Sequence, residues 1–191
     1  VDRLSEDFAH HLHEGLRLAP GTRVALLLPN CLAYPIAAFG VLKAGCVLVN
    51  TNPLYTAPEM RHQFNDAGVE ALVIVDMFFD KLDAIRAETG IKHVVLCSVA
   101  SFFPPVVRPI IQGIQKYWNR VIPERKSDAV PIEEAIARGA AAAADMKVSP
   151  NDYWKRLKPS DLALLQYTGG TTGVSKGAML FYSGNSCTLP R

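Results

Sequence analysis

Leu162-Ala163-Leu164-Leu165-Gln166-Tyr167-Thr168-Gly169-Gly170-Thr171-Thr172-Gly173-Val174-Ser175-Lys176-Gly177-Ala178-Met179-Leu180 decides how this chain is read. Two short apolar runs flank a centre of glycines and hydroxyl residues. Both runs have strand character, so the centre reads as a loop between strands. Gly169, Gly170, Gly173 and Gly177 permit positive φ and close approach of the backbone to a ligand. Consecutive amides in such a turn form a concave anion site. Thr168, Thr171, Thr172 and Ser175 add hydroxyls, and Lys176 adds one mobile positive charge. This is the chemistry of a polyphosphate loop. A flexible surface loop is the structural alternative, but glycine and threonine alone would not require a terminal Lys-Gly between two strands.

Two familiar phosphate devices are excluded by spacing. A Walker loop places Gly before its lysine and Ser or Thr after it; here Ser175 precedes Lys176 and Gly177 follows. The dinucleotide G-x-G-x-x-G spacing is absent as well.

Working outward, the preceding chain alternates strand and helix. The runs 23–28, 46–49, 71–75 and 93–97 are short and apolar, as buried parallel strands are. Helical periods fill 31–44, 58–67 and 79–88, with Gly45 as a helix stop. The segment 31–44 is almost wholly apolar and is expected to be buried on most sides. Leu4, Phe8, Leu12 and Leu16 make residues 3–18 an amphipathic helix. The pattern predicts an α/β fold with a largely parallel sheet flanked by helices. A further short helix is expected over 131–138, ended by Gly139, before an alanine run at 140–144. Asp161, just ahead of an apolar strand, reads as a turn or cap residue.

Composition bounds the function. The 191 residues, 49% hydrophobic and 20% charged, are globular in type and can bury one large core or two small ones. A net charge of +2 gives no reason to expect a nucleic-acid partner. Cys31, Cys46, Cys97 and Cys187 are widely spaced and read as free thiols. His10, His11 and His13 carry no acidic or thiol partner for a metal; on a regular helix His10 and His13 share a face and His11 turns away. No apolar run is long enough to span a bilayer. The expectation is a cytoplasmic protein.

Thr168 to Gly177 resembles the phosphate-binding signature of the acyl-adenylate-forming enzymes, with Ser175 where proline is commonest. Arg23-Val24-Ala25, Pro29-Asn30, Lys43-Ala44-Gly45 and the run Val49 to Tyr55, with Glu59 and His62-Gln63-Phe64-Asn65-Asp66, are similar to bacterial long-chain fatty-acid–CoA ligases. Those upstream residues are expected to shape the fold and touch no substrate. The resemblance implies an ATP-dependent, AMP-forming acyl-CoA synthetase using Mg²⁺, with long-chain fatty acid and CoA as substrates. It implies nucleotide contacts along Tyr167, Thr168, Gly169, Gly170, Thr171, Thr172, Gly173, Val174, Ser175, Lys176, Gly177 and Ala178, with Thr168 the candidate Mg²⁺ contact. No catalytic residue is carried onto this chain, because the family's catalytic lysine belongs to a C-terminal domain whose motifs are absent from this sequence. The expected organisation is an incomplete N-terminal AMP-binding domain over 1–180 and an atypical tail over 181–191. Alone, such a piece is expected to be inactive and, with an open sheet edge, to self-associate. The alternatives are another acyl- or aryl-CoA ligase or adenylation domain, or a non-catalytic nucleotide-binding module.

Residues 101–127 interrupt the α/β rhythm. Ile110, Ile111, Ile114, Tyr117, Trp118 and Val121 form one apolar face, with Arg108, Lys116 and Arg120 off it. Such a helix packs on its parent domain or lies on an anionic membrane surface. The second reading places the protein in peripheral contact with the inner face of the membrane.

Overall fold

Val24, Leu26, Val73 and Val95 share one apolar core with Phe8, Leu12, Ile36 and Ile132. Ala25, Leu27, Leu72 and Ile74 share another with Met60, Phe64 and Leu82. Alternate residues of one set of strands therefore feed two cores, as the period of two in a strand requires. Both sheet faces are covered, which explains why these strands are apolar throughout rather than alternating with polar residues.

The computed structural model describes residues 1–104, 107, 128–146, 153, 156–168, 175–183 and 186–188. Its strands are β1 (Arg23–Leu27), β2 (Val47–Asn50), β3 (Val69–Val75), β4 (His93–Cys97), β5 (Val130–Pro131), β6 (Leu162–Thr168), β7 (Lys176–Phe181) and β8 (Ser186–Thr188). They form one sheet in the order β5-β4-β3-β1-β2-β6-β7-β8. Neighbours from β5 to β6 are parallel, and β7 and β8 continue the sheet antiparallel. The predicted class, α/β with a largely parallel sheet, is the one observed.

The helices are α1 (Asp2–His10), α2 (Ala33–Lys43), α3 (Ala57–Ala67), α4 (Phe79–Asp83) and α5 (Ile132–Met146). Residues of α1, α2 and α5 build the first core, and residues of α3 and α4 build the second. The crossovers from β1 to β2 and from β2 to β3 thus leave the sheet on opposite faces. They also run in opposite directions across it, because β2 and β3 flank β1.

Several elements differ from the sequence expectation. The N-terminal helix is regular only to His10, and His11–Gly15 forms a wider π-turn. His10 and His13 still share a face and His11 still turns away from it, as expected, but into the core, where it is 2% exposed. The 79–88 helix breaks into α4 and a separate 3₁₀ turn, Arg86–Glu88. Helix α2 is buried on most sides, as expected, and opens on one, where Phe39 is 53% exposed. Helix α5 does not stop at Gly139 but runs on through the alanines. The amphipathic stretch after 107 lies outside the described residues up to 127. Asp161 is a turn residue, its carboxylate accepting from the Lys158 amide at 2.7 Å.

Candidate functional site

In an open α/β sheet, ligands enter the crevice at the carboxyl ends of strands where successive crossovers diverge. Here the crossovers diverge at β1 and β2, with β6 beside them. An open cleft of about 430 Å³ lies at that place, between the chain leaving β1, the chain leaving β2, and the end of β6. Tyr34, Asn50, Thr51, Asn52 and Gln166 are among its polar lining residues, and none of its lining residues is charged.

Short polar contacts tie these walls together. Asn50 and Gln166 are partners in the β2–β6 register. Asn50 Nδ2 donates to Gln166 Oε1 at 3.0 Å, and Tyr34 Oη donates weakly to Asn50 Oδ1 at 3.4 Å. Gln166 Nε2 reaches the Tyr167 carbonyl at 3.3 Å. From helix α3, Gln63 Nε2 donates to the Asn50 carbonyl at 3.0 Å. The Thr51 hydroxyl is buried with no hydrogen-bond partner among the described residues.

The β6–loop–β7 unit opens at the same end of the sheet. Thr168 pairs with Lys176, Tyr167 with Gly177, and Gln166 with Ala178. The two apolar runs are therefore antiparallel neighbouring strands, as their strand character predicted. Lys176 is exposed at the first position of β7, Ser175 is half-buried before it, and Gly177 is buried. Gly169, Gly170, Thr171, Thr172, Gly173 and Val174 lie outside the described residues. Tyr167 is 5% exposed, and its hydroxyl donates to Asp66 Oδ2 at 2.5 Å. Burial, and then the Asp66 carboxylate, push the Tyr167 phenol well above its ordinary range, so it stays a protonated donor at neutral pH.

The three histidines do not converge on one point. His10 and His13 both pack against Tyr153, His13 stacked at 3.9 Å between centroids. His11 is buried on the other side, against Phe8. Burial raises the Cys46 and Cys97 thiols, Cys46 to about 12, so both are inert as nucleophiles.

The sequence pointed to the loop, gave Asn50, Gln63 and Asp66 only a role in shaping the fold, and gave Tyr34 and Gln166 no role. A signal existed for two of them. Asn50 and Gln166 are polar residues at the carboxyl ends of otherwise apolar strands, where an α/β sheet places its ligands.

Comparisons with known proteins show the family and the fold. The family described as "AMP-binding enzyme" matches residues 1–189, and the chain belongs to that family. It is 42% identical to a long-chain-fatty-acid–CoA ligase of Escherichia coli O6:H1, over 94% of this chain and 31% of the relative. It is 39% identical to the ligase of the same description from Haemophilus influenzae, over 98% of this chain and 32% of the relative. The chain thus spans about a third of the length of these curated relatives. Among solved structures, the anthranilate CoA ligase AuaEII superposes with a TM-score of 0.68 at 18% identity, covering 94% of this chain and 28% of that one. A long-chain-fatty-acid-CoA ligase from Archaeoglobus fulgidus gives 0.58 at 20%, over 94% and 29%. At these identities the structures establish a shared fold.

Proposed function

We propose that the chain is the part of a long-chain fatty-acid–CoA ligase that holds the polyphosphate of ATP. One observation carries the reading: the β6–loop–β7 unit, with Lys176 exposed opposite Thr168, opens at the sheet end where the diverging crossovers leave a polar cleft. The similarity to ligases over nearly all of this chain supports the choice of substrate.

In the reaction, a carboxylate oxygen of the fatty acid attacks the α-phosphorus of ATP. The bond to the bridging oxygen breaks and pyrophosphate leaves. The CoA thiol then loses its proton and attacks the acyl carbon, and AMP leaves. The contribution of this chain is to hold the β- and γ-phosphates, which become the leaving group. Lys176 offsets their charge, and the amides and hydroxyls from Thr168 to Gly177 donate hydrogen bonds to their oxygens. Among the described residues no group of three His, Cys, Asp or Glu side chains could hold a metal. Thr168 would be this chain's contact to a Mg²⁺ ion bound with the phosphates, which would offset part of their charge. The cleft, with no charged group in its lining, suits an uncharged polar part of a substrate rather than phosphate.

Peripheral membrane contact through 101–127 belongs to the same reading. Phe103 and Val107 are exposed apolar residues near the start of that segment, and the exposed Leu32 lines the same surface cavity as Phe103. Self-association through the sheet edges would appear as an oligomer in sedimentation.

Calorimetric titration of the purified chain with Mg-ATP, beside Lys176→Ala, tests the phosphate role. The expected result is weak binding that falls at least about tenfold in the variant, the order expected for a charge-assisted phosphate contact. Equal binding by both proteins would remove Lys176 from the site. Detectable long-chain acyl-CoA formation by this chain alone would overturn the division of labour.

A further inference from the structure

We propose that helix α3 positions the mouth of the phosphate loop, gripping β6 through Asp66 and Tyr167, and β2 through Gln63 and the Asn50 carbonyl. The inference rests on the phosphate reading of the loop and names residues that reading does not use. Gln63 and Asp66 are three apart on α3, so they share a face. Gln63 holds the last residue of β2 at 3.0 Å, and Asp66 holds the Tyr167 hydroxyl at 2.5 Å. Those two strands are neighbours, and the Asn50–Gln166 amide pair bridges them at the same level. One helix face therefore fixes the ends of both strands beside the cleft.

The apolar packing does not require these polar groups. Tyr167 belongs to the core that contains Met60 and Phe64, and a phenyl ring would fill the same space. The hydroxyl adds only the bond to Asp66, which is charge-assisted and directional. Tyr167 is the residue before Thr168 and pairs with Gly177 across the mouth of the loop. The bond thus sets where β6 ends relative to α3.

Helix α3 is itself anchored independently of the site. Thr56 and Glu59 close its first turn, with the Thr56 amide donating to Glu59 Oε2 at 2.8 Å. Gly68, at φ +65°, closes its last turn, and Asn65 Nδ2 reaches the Glu88 carbonyl at 3.0 Å. A helix fixed at both ends can serve as a reference for the strands it holds.

Asp66 and Gln63 are positioning residues, acting through Tyr167 and Asn50. The test is residue-resolved amide hydrogen exchange on the whole chain, with no nucleotide present. Asp66→Ala and Tyr167→Phe are expected to speed exchange at Gln166–Thr168 and Lys176–Ala178 by about tenfold, the opening expected when one charged hydrogen bond is lost. Exchange in β3 should not move. Asp66→Asn, which keeps an acceptor, should stay within about threefold of the parent. Unchanged exchange at the β6–β7 end would overturn the proposal. An equal rise in β3 would overturn it too, because it would mean loss of global stability alone. A failed Mg-ATP titration would count against the phosphate reading and leave this result standing.

Discussion

On the side of α1, α2 and α5, helices approach so closely at two glycines that no side chain fits there. A Cβ at Gly139 of α5 would overlap the Asp7 carbonyl oxygen of α1 and sit 2.8 Å from the His11 amide nitrogen. A Cβ at Gly40 of α2 would lie 2.7 Å from the Phe8 ring and 3.0 Å from the Ser5 carbonyl. His11 is buried here with neither ring nitrogen hydrogen-bonded among the described residues. On the side of α3, the helix instead sends Gln63 and Asp66 to the ends of β2 and β6 by directed polar bonds. One face supplies close packing and the other supplies orientation. Changes on the first face should therefore affect stability, and changes on the second should affect the site.

The sharpest way to break this contrast is Gly139→Ala. The overlap is with backbone atoms, so α5 must move away from α1 as a unit. The expected cost is about 3 kcal/mol, read from denaturant unfolding. A loss below about 1 kcal/mol would mean that the α1–α5 contact gives way easily and is not close-packed.

Acid should act on the same face. Burial holds the His11 imidazole down at about 4, with Arg138 of α5 and His93 of β4 pushing the same way and Glu134 of α5 opposing. A histidine whose folded value lies below its unfolded value is kept neutral by folding. Its contribution is fully present above about pH 6.5 and is lost as pH falls toward 4. The shift corresponds to a loss on the order of 3 kcal/mol across that window. His11→Phe should flatten this part of the stability–pH curve. An unchanged slope in the variant would assign the acid sensitivity to other groups.

The same contrast explains what was legible in sequence. The strands and most helices declared themselves through apolar period, because burial on two faces demands it. Gly139 misled, since a glycine after a short helical period looks like a stop. Its actual role is to let another helix approach, and that depends on α1, more than a hundred residues away. The π-turn at His11–Gly15 likewise has no local signature. At the site, the loop was legible because its chemistry is contiguous. The Asn50–Gln166 pair was not, because its partners are 116 residues apart and meet only once β6 docks beside β2.

Gly68→Ala is the smallest change that sharpens the comparison, because it separates two reasons for a glycine. Gly68 has φ +65° and nothing within 4 Å of an added Cβ, whereas Gly139 is confined by α1. The cost at Gly68 is then backbone conformation alone, about 1 kcal/mol. Gly68→Asn should recover part of it, since asparagine tolerates the left-handed region. Because Gly68 closes α3 two residues after Asp66, any strain passed along the helix would show as faster exchange at Tyr167 and Thr168. Exchange there should instead stay at the parent rate, since the Asp66 carboxylate and its partner hydroxyl are untouched. A rise at the strand end as large as that in Asp66→Ala would mean that the cap of α3, rather than the Asp66–Tyr167 bond, sets the position of β6.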